Sequence, residues 1–477
     1  MDMFINGGWH PSFSKKRMNV YDPTLTKPFN SVPLGNWKDA KFAIETSHNG
    51  FLVWSNFSIK KRVKILKSCL FGIKENLEYL SLTLKKELGR PLEGCRKEIV
   101  SSYDLFDVYI KEGLKIINAI PNINLESDEI YVTKIPVGVT LAITPFNYPI
   151  NLLMFKLGAA LIAGCSVIAK PSEETPLSTL MLAEIFYKKG LPKGVFNVVT
   201  GKKNLVTALL KSEIPRKVAF TGSTSIGKKI AVAAMNTVKR VTLELGGQCP
   251  AIICKDADLD KAAISITNHS FKNSGQFCYR VNRIFVEKDI YPIFIKIIKE
   301  KVKKLSFDTV YHVGEMGPLV NKKIFTNCIK HIKDALKKGG TIEIGGKRQL
   351  SIGLKGGYYL QPTLISNTKK NMLLLKEETF GPVIAICKIQ NLEEGLAYAN
   401  DSRYGLAGFI FCSNFAKGIR LCEKLEVGQV WLNNIEKSSN HAPFGGIKES
   451  GIGREKGKYG IEEYLEYKTM YLKYEQN

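Results

Sequence analysis

The chain has 477 residues, of which 44% are hydrophobic and 24% are charged, a balance that excludes a wholly disordered or fibrous protein. This length exceeds what one hydrophobic core usually supports, so two or three lobes are expected. The formal net charge of +25 comes from short, dispersed, lysine-rich runs without interleaved aromatic residues, which indicates a solvated basic surface and no nucleic-acid partner.

Membrane, export and metal signals are also missing from the sequence. Residues 1–10 lack a basic segment followed by an apolar one, and no window approaches the length of a membrane span. We therefore expect no membrane partner and a cytoplasmic location. The ten cysteines lack the paired spacing of a disulfide framework or a zinc site, and the six histidines form no HExxH pair, so no metal is expected.

In chain order, the first predicted elements are helices. Between residues 39 and 88, apolar residues such as Val63 and Leu66 recur at helical spacing, which predicts amphipathic helices. Beyond them, short apolar runs alternate with stretches of helical pattern at 177–189 and 228–234, which predicts a parallel, doubly wound α/β sheet. Its predicted strands cover residues 137–143, 166–169, 195–199, 217–220, 241–243 and 251–253.

The second part of the chain repeats this alternation. Residues 256–430 predict another α/β lobe. Residues 464–474 alternate weakly and are rich in tyrosine, which predicts an edge strand of the kind that is donated to a partner subunit. The strands predicted in the second lobe cover residues 281–286, 383–389, 408–411 and 429–431.

A glycine turn at residues 218–229 joins a predicted strand to a helix start. The run from Gly222 to Lys228 nearly completes GxxxxGK, but Lys229 follows where a P-loop needs Ser or Thr, so an NTPase is not favoured. Small residues before a helix would also let the backbone approach a pyrophosphate at the helix N-terminus. Since the spacing departs from GxGxxG, dinucleotide binding and a purely structural turn are equally supported here.

A second motif, residues 168–174, ends a strand with a lysine, a proline turn and carboxylates. Lys170 and Glu173 at the carboxyl end of a strand suit the hydroxyl groups of a ribose. Taken alone, Ser172 followed by Glu173 and Glu174 is an ordinary helix start, and this reading is preferred on the residues themselves.

Two further motifs carry reactive groups. Cys278 follows the turn-like residues Gly275 and Gln276, and exposure near cations or helix N-termini lowers the pKa of a thiol, so Cys278 is the favoured nucleophile; inert packing is the alternative. Glu244 lies in an apolar strand before a Gly-Gly turn. It is therefore either paired in a salt bridge or has a pKa raised toward that of a general base.

Glycine, proline and aromatic residues at 377–382 and 443–448 indicate tight loops around a site. Together with the preceding motifs and in this order, these segments resemble the aldehyde dehydrogenase superfamily, in its hydrolytic, NAD(P)-dependent branch, over nearly the whole chain. The segments that carry the resemblance are residues 144–149, 170–173, 220–223, 244–247, 275–278, 378–382 and 443–446.

The resemblance implies a three-part architecture of class α/β and a homodimer or homotetramer. A Rossmann-like cofactor-binding domain would comprise residues 1–115 and 136–245. An α/β catalytic domain would comprise residues 246–455. A small β oligomerisation element would comprise residues 116–135 and 456–477.

The resemblance also implies a mechanism. Cys278 would attack a small-molecule aldehyde, while the Asn147 side-chain amide and the Cys278 backbone N–H stabilise the oxyanion. After hydride transfer, Glu244 would activate the water that hydrolyses the thioester, and Glu455 would help relay its proton.

The cofactor implied by the resemblance is NAD⁺, with NADP⁺ as an alternative, since Glu173 stands where NAD-preferring members carry an acid. Glu378 would contact the nicotinamide ribose and Phe380 the ring. The remaining expected cofactor contacts are Phe146, Asn147, Lys170, Ser172, Glu173, Gly222, Ser223 and Leu245.

Residues 451–464 resemble succinate-semialdehyde dehydrogenases, but Phe155 and Lys272 replace two arginines that bind the distal carboxylate in those enzymes. This replacement favours a small neutral or hydroxy-aldehyde such as lactaldehyde or glyceraldehyde. Arg280 and Arg283 keep an anionic aldehyde such as succinate semialdehyde as the alternative, although Arg283 could equally be structural. A CoA-dependent reductase is disfavoured by Glu244, and a non-catalytic binding protein by the intact catalytic set.

Overall fold

The computed structural model describes residues 1–117, 122–125, 128–308, 313–350, 356–435 and 438–472. Among these residues, no helix combines the length and apolar character needed to cross a bilayer. The N-terminal part consists of two short hairpins followed by consecutive helices. These elements are β1 (Met3–Ile5), β2 (Gly8–His10), β3 (Arg17–Asp22), β4 (Lys27–Pro33), α1 (Trp37–Ser55), α2 (Ile59–Glu75), α3 (Leu77–Leu88) and α4 (Leu92–Ile117).

The predicted amphipathic helices are confirmed by α1, α2 and α3. Helix α1 begins with a capping box, in which the Asn36 side chain accepts a backbone N–H and Asp39 accepts the Asn36 N–H. Helix α3 ends at Gly89, whose left-handed backbone (φ 64°) satisfies its C-terminus. In α2, Leu66 and Ile73 are fully buried on one face.

Alternating strands and helices form the next part of the chain. They are β5 (Asn122–Leu125), β6 (Asp128–Pro136), β7 (Val139–Ile143), α5 (Pro149–Ala163), β8 (Ser166–Lys170), α6 (Leu177–Lys188), β9 (Phe196–Val198), α7 (Lys203–Lys211), β10 (Pro215–Thr221), α8 (Thr224–Met235) and β11 (Arg240–Glu244).

The remaining elements run to the end of the described chain. They are β12 (Cys249–Ile253), α9 (Leu259–Phe271), β13 (Val281–Glu287), α10 (Tyr291–Val302), α11 (Lys322–Lys337), β14 (Thr341–Ile344), β15 (Thr363–Ser366), α12 (Leu373–Lys376), β16 (Val383–Ile389), α13 (Leu392–Asn400), β17 (Tyr404–Gly405), β18 (Ala407–Phe411), α14 (Phe415–Lys424), β19 (Gln429–Leu432), β20 (Ile447–Lys448), β21 (Gly451–Ile452), α15 (Gly457–Glu462) and β22 (Leu465–Leu472).

The first large sheet has the strand order β2-β1-β9-β8-β7-β10-β11-β21. Its central strands β9, β8, β7, β10 and β11 are parallel, which confirms the predicted doubly wound arrangement. The strand predicted at 251–253 belongs instead to the second sheet. The chain leaves the first sheet at Gly246, and β12 then pairs with β13 and β18 because its apolar residues are buried on both faces there.

The second sheet confirms the predicted second lobe. Its order is β14-β15-β16-β13-β12-β18-β19, and all of these strands are parallel except β14. Short strands β17 and β20 pair separately and carry the chain back toward the first sheet, where β21 pairs antiparallel with β11. Residues 451–452, which the expected boundaries assign to the catalytic domain, therefore extend the sheet of the cofactor lobe.

A small sheet of order β22-β6-β5 lies apart from both large sheets. Strand β22 pairs with β6 along its whole length, and its other edge has no partner strand among the described residues. The predicted edge strand is thus confirmed for residues 465–472, while its donation to a partner subunit stays a prediction. Tyr467 and Tyr471 on β22 are exposed.

Candidate active site

Four predicted site residues lie at or just beyond the carboxyl ends of parallel strands of the first sheet. Lys170 ends β8, Glu244 ends β11, Gly222 directly follows β10, and Asn147 follows β7 by four residues. In a parallel sheet these ends meet at one edge, where α/β proteins bind their ligands. The sheet therefore brings together residues that are up to 97 positions apart in the sequence, counted from Asn147 to Glu244.

Cys278 is held by a strained turn between α9 and β13. Asn273, Ser274 and Gly275 all have positive φ (49°, 53° and 72°), and two of these residues are not glycine. Hydrogen bonds hold the turn in this conformation: Ser274 Oγ donates to the Gly317 carbonyl (2.7 Å), and Asn273 Nδ2 donates to the Asn147 carbonyl (3.1 Å). Strain of this kind persists only where the surroundings enforce it, as at functional sites.

Asn147 lies against the same turn. Its backbone carbonyl accepts the Asn273 bond, while its buried side-chain oxygen Oδ1 has no hydrogen-bond partner among the described residues. The segment is fixed further by Glu98, which accepts the Ile150 and Asn151 N–H groups at the start of α5 and pairs with Arg90. Because the segment is fixed and Asn147 lines the same cavity as Cys278, its Nδ2 group can donate to an oxyanion there without reorganising.

Glu244 is buried, and neither of its carboxylate oxygens has a hydrogen-bond partner among the described residues. Burial raises the pKa of Glu244 well above its usual value, and the neighbouring Glu455 raises it further. The pKa alternative is therefore supported over the salt-bridge alternative. A Cβ at Gly445 would lie 2.8 Å from Glu244 Oε1, so only glycine lets this loop pack against the carboxylate.

Glu455 lies close to Glu244 and is held by a lysine that the sequence reasoning missed. Lys156 Nζ donates to Glu455 Oε1 (2.7 Å) and to Thr221 Oγ1 (2.6 Å), while Glu455 Oε2 is buried without a partner in the described chain. The signal was a lone lysine within α5, whose other residues are almost all apolar. This ammonium holds one carboxylate oxygen and leaves the other available to a proton or water.

The thiol of Cys278 differs from the expectation of a lowered pKa. Burial raises the pKa of Cys278 well above its usual value, and the nearby Glu244 raises it further. The thiol carries its proton at neutral pH in these surroundings, so it needs a base to become a nucleophile. A Cβ at Gly247 would collide with the Cys278 carbonyl, which explains the glycine at this crossing between the lobes.

A cleft of about 650 Å³ lies above the first sheet and contains half of the expected cofactor contacts. Lys170 Nζ and Glu173 Oε1 form an ion pair there (2.5 Å). Helix α8 begins in the cleft, and its N-cap Ser223 makes no side-chain cap hydrogen bond, which leaves the helix N-terminus suited to a pyrophosphate. The expected residues that line the cleft are Lys170, Ser172, Glu173, Gly222 and Ser223.

The alternative in which Ser172 begins a helix is wrong. Ser172 Oγ accepts the Glu174 N–H in a local turn, and α6 begins only at Leu177. Its first N–H groups, those of Leu177 and Ser178, are accepted by Glu87 from a distant helix. Ser172 is thereby left on the wall of the cleft.

The other expected cofactor contacts lie toward Cys278. Glu378 Oε1 accepts the Gly247 N–H (3.1 Å), and burial raises the pKa of Glu378 to about 7. The rings of Phe146 and Phe380 meet edge to face with centroids 5.9 Å apart. Leu245 packs against Gly227 of α8.

A second cavity, of about 200 Å³, opens onto Cys278. Asn147, Phe155, Lys272 and Lys456 are among its lining residues. His269, which sequence reasoning also missed, lines it with both ring nitrogens lacking a partner in the described structure, and burial lowers the pKa of His269 to about 3.

Neither Arg280 nor Arg283 lines this cavity, so neither can bind a substrate there. Arg283 donates to the carbonyls of Gln248, Tyr398 and Ala399, which confirms its structural alternative. Arg280 donates to the backbone carbonyls of Val281 in β13 and Val383 in β16.

A partly buried thiol that shares a cavity with an amide, close to an unpaired carboxylate and with a separate cleft of about 650 Å³ above the first sheet, is an arrangement expected of an enzyme that combines acyl transfer with a dinucleotide cofactor. A family model described as "Aldehyde dehydrogenase family" matches residues 9–470, and the chain belongs to this family.

Individual relatives cover almost the entire chain. It is 38% identical over 470 residues to succinate-semialdehyde dehydrogenase [NADP(+)] 1 of Schizosaccharomyces pombe, covering 98% of this chain and 94% of that protein. It is 36% identical over 472 residues to glutarate-semialdehyde dehydrogenase of Pseudomonas aeruginosa (98% and 97%). The betaine aldehyde dehydrogenase of Staphylococcus aureus, solved in complex with NAD⁺, superposes with a TM-score of 0.95 at 33% identity (98% and 94%).

Proposed function

We propose that this aldehyde dehydrogenase oxidises a semialdehyde with a distal carboxylate to the corresponding dicarboxylic acid, using NAD⁺ or NADP⁺. The single observation that carries the chemistry is that Asn147 and Cys278 line one cavity while buried Glu244 lies close enough to Cys278 to raise the pKa of its thiol. For the substrate, the absence of arginines at Phe155 and Lys272 favours a neutral or hydroxy-aldehyde. The relatives named for succinate and glutarate semialdehyde fit the anionic alternative better, and we adopt it.

The first half of the reaction forms a bond to sulfur. Cys278 loses its thiol proton to solvent water, and the resulting thiolate adds to the aldehyde carbon. The Asn147 Nδ2 group and the Cys278 backbone N–H donate to the oxyanion that develops. When bound, the nicotinamide cofactor supplies a hydride acceptor that converts the thiohemiacetal to a thioester. Phe146 and Phe380, whose rings contact each other, would help to hold that ring.

The second half releases the acid. Glu244 takes a proton from a water that attacks the thioester, since its raised pKa places it closer to the operating pH than an ordinary carboxylate. Glu455, held by Lys156 through one oxygen only, receives or returns that proton. The thiolate of Cys278 leaves as the acid departs.

The cleft residues support NAD⁺ as the preferred cofactor with NADP⁺ as a second one. The Glu173 carboxylate disfavours a 2′-phosphate on the ribose. Lysines 203, 211 and 229 also line the cleft and would attract the additional negative charge of NADP⁺. Both cofactors appear among the relatives, in the names of the NADP(+) enzyme and the NAD⁺ complex.

We further propose the three-part division given above, except that residues 451–452 belong to the sheet of the cofactor lobe, with β22, β6 and β5 as the element that assembles a homodimer or homotetramer. The unpaired edge of β22 and its exposed tyrosines support this role. Residues 118–121, 126–127 and 473–477 of this element lie outside the described residues.

The test is formation of reduced nicotinamide by the purified protein with succinate semialdehyde, butanal and lactaldehyde, each with NAD⁺ and NADP⁺. We expect the highest kcat/KM with succinate semialdehyde and no activity for Cys278→Ala. Preference for butanal or lactaldehyde would restore the neutral-substrate reading. Dependence on added CoA would instead indicate an acyl-CoA reductase.

A further inference from the structure

The cavity at Cys278 contains a lysine whose position the proposed mechanism does not use. Lys456 follows Glu455 and precedes α15, with φ 68° and ψ 156°, a conformation that non-glycine residues rarely adopt. Its residue is only 8% exposed, yet it lines the cavity with Cys278. A strained, buried lysine at a reaction centre needs a reason to persist.

The backbone of Lys456 is fixed against the cavity wall. Its N–H donates to the Tyr109 hydroxyl (3.0 Å), which in turn donates to the Phe155 carbonyl (2.9 Å). On the other side, Glu455 and Phe444 exchange backbone hydrogen bonds in both directions. The side chain of Lys456 therefore has little freedom to swing into solvent.

The ammonium group lies against two aromatic rings that contact each other edge to face. Lys456 Nζ is 4.9 Å from the ring centroid of Phe155 and 5.5 Å from that of Phe444. Within the described residues it forms no hydrogen bond or ion pair, although Glu455 and Glu244 act on it at longer range. Burial lowers the pKa of Lys456 to about 8, so the ammonium form prevails at neutral pH. An ammonium on a largely buried residue, with no hydrogen-bond acceptor among the described residues, is poorly compensated.

The other lysines of the cavity are placed differently. Lys97 is largely exposed and pairs with Glu93 on its own helix. Lys272 is exposed to solvent and also interacts with another group of the protein. Of these three lysines, Lys456 is therefore the least exposed to solvent, and its ammonium has no hydrogen-bond acceptor among the described residues.

We propose that Lys456 is a specificity-determining residue that binds the distal carboxylate of the substrate. This inference rests on the proposed function, because it requires an aldehyde with an anionic end. The carboxylate supplies the acceptor that the ammonium lacks, while the aldehyde end reaches Cys278 in the same cavity. The rings of Phe155 and Phe444 keep the pair dry, which strengthens a charge-assisted hydrogen bond.

The test compares Lys456→Met with Lys458→Met, an exposed lysine two residues away that lies outside the cavity. The KM and kcat of each are measured for succinate semialdehyde and for butanal, which has the same number of carbons and no charge. We expect Lys456→Met to raise the KM for succinate semialdehyde about 10- to 100-fold, as loss of a hydrogen bond to a charged group does, and to leave butanal within about twofold. Lys458→Met should match the parent with both.

A second variant separates binding from folding. Lys456→Gly removes the ammonium and also relieves the left-handed strain, so it should lose the same discrimination without a lower melting temperature. An unchanged KM for succinate semialdehyde in both variants would overturn the inference. An equal loss of kcat with both aldehydes would also overturn it, because Lys456 would then act by adjusting the pKa of Glu244. Failure of the proposed function would be seen separately, because the parent enzyme would then not prefer succinate semialdehyde over butanal. In that case the carboxylate that Lys456 is proposed to bind would also be absent from the substrate.

Discussion

Replacing Glu244 by glutamine tests whether acylation and hydrolysis use different groups. The substitution keeps the shape of a buried side chain and removes its ability to accept a proton. If Glu244 activates the water, hydrolysis of the thioester should slow about 10²- to 10⁴-fold, the usual contribution of a positioned general base. Acylation should survive, because Cys278 and Asn147 are unchanged.

The structure adds an effect of opposite sign. Since the charge of Glu244 raises the pKa of the Cys278 thiol, Glu244→Gln should lower that pKa and speed alkylation of the thiol at a given pH. One substitution is thus expected to make the nucleophile more reactive and the enzyme slower.

Two assays measure these effects. Rapid mixing with cofactor and aldehyde should give a burst of reduced nicotinamide close to one equivalent per subunit, followed by a slow steady rate. Iodoacetamide inactivation should be faster than in the parent, with Cys278→Ala as the unreactive control. Parental turnover in the variant, or loss of the burst together with turnover, would refute the assignment of Glu244 to the hydrolytic step.

Three further predictions follow from the same site. Asn147→Ala should lower kcat about 10²- to 10³-fold at an unchanged melting temperature, and a parental kcat would remove the amide from the oxyanion site. Lys156→Met should lower the free energy of unfolding, measured by urea titration, by about 3–5 kcal/mol, because it leaves buried Glu455 unpaired. The double variant with Glu455→Gln should recover part of this loss. If the losses of the two single variants simply added, the two side chains would not be energetically coupled. Burial raises the pKa of Glu378 to about 7, so the fraction of ionised Glu378, the form that accepts hydrogen bonds from ribose hydroxyls, increases as the pH rises through about 7. The KM for NAD⁺ should therefore fall over that range. Glu378→Gln should flatten this pH dependence, and an equally steep dependence in the variant would assign it to another group.

The sequence predicted the elements of this fold better than their assembly. Strands such as 383–389 were located because alternation and apolar runs are local properties. The assignment of residues 251–253 to the first sheet failed because strand partners depend on where the chain crosses over, and the Gly-Gly step at 246–247 carries no signal of direction.

The site residues were likewise predictable where their signals are local. Cys278 and Glu244 were each identified from the few residues that flank them in the sequence, and the family resemblance supplied their roles. Lys156 was missed because its value comes from Glu455, 299 positions later in the chain. Lys456 was missed because a lysine at a left-handed position looks like surface until the aromatic rings around it are known. Arg283 was considered for a substrate contact because its backbone acceptors are invisible in the sequence.

The hydrogen bond from Asn273 to the Asn147 carbonyl has a consequence for engineering. It joins segments that belong to different sheets, so the nucleophile and its oxyanion donor are aligned by the junction between the lobes and by neither lobe alone. A chimera that takes one lobe from a relative must therefore inherit both sides of this junction. Exchange of a single side would preserve two well-folded halves that no longer share a common reaction geometry.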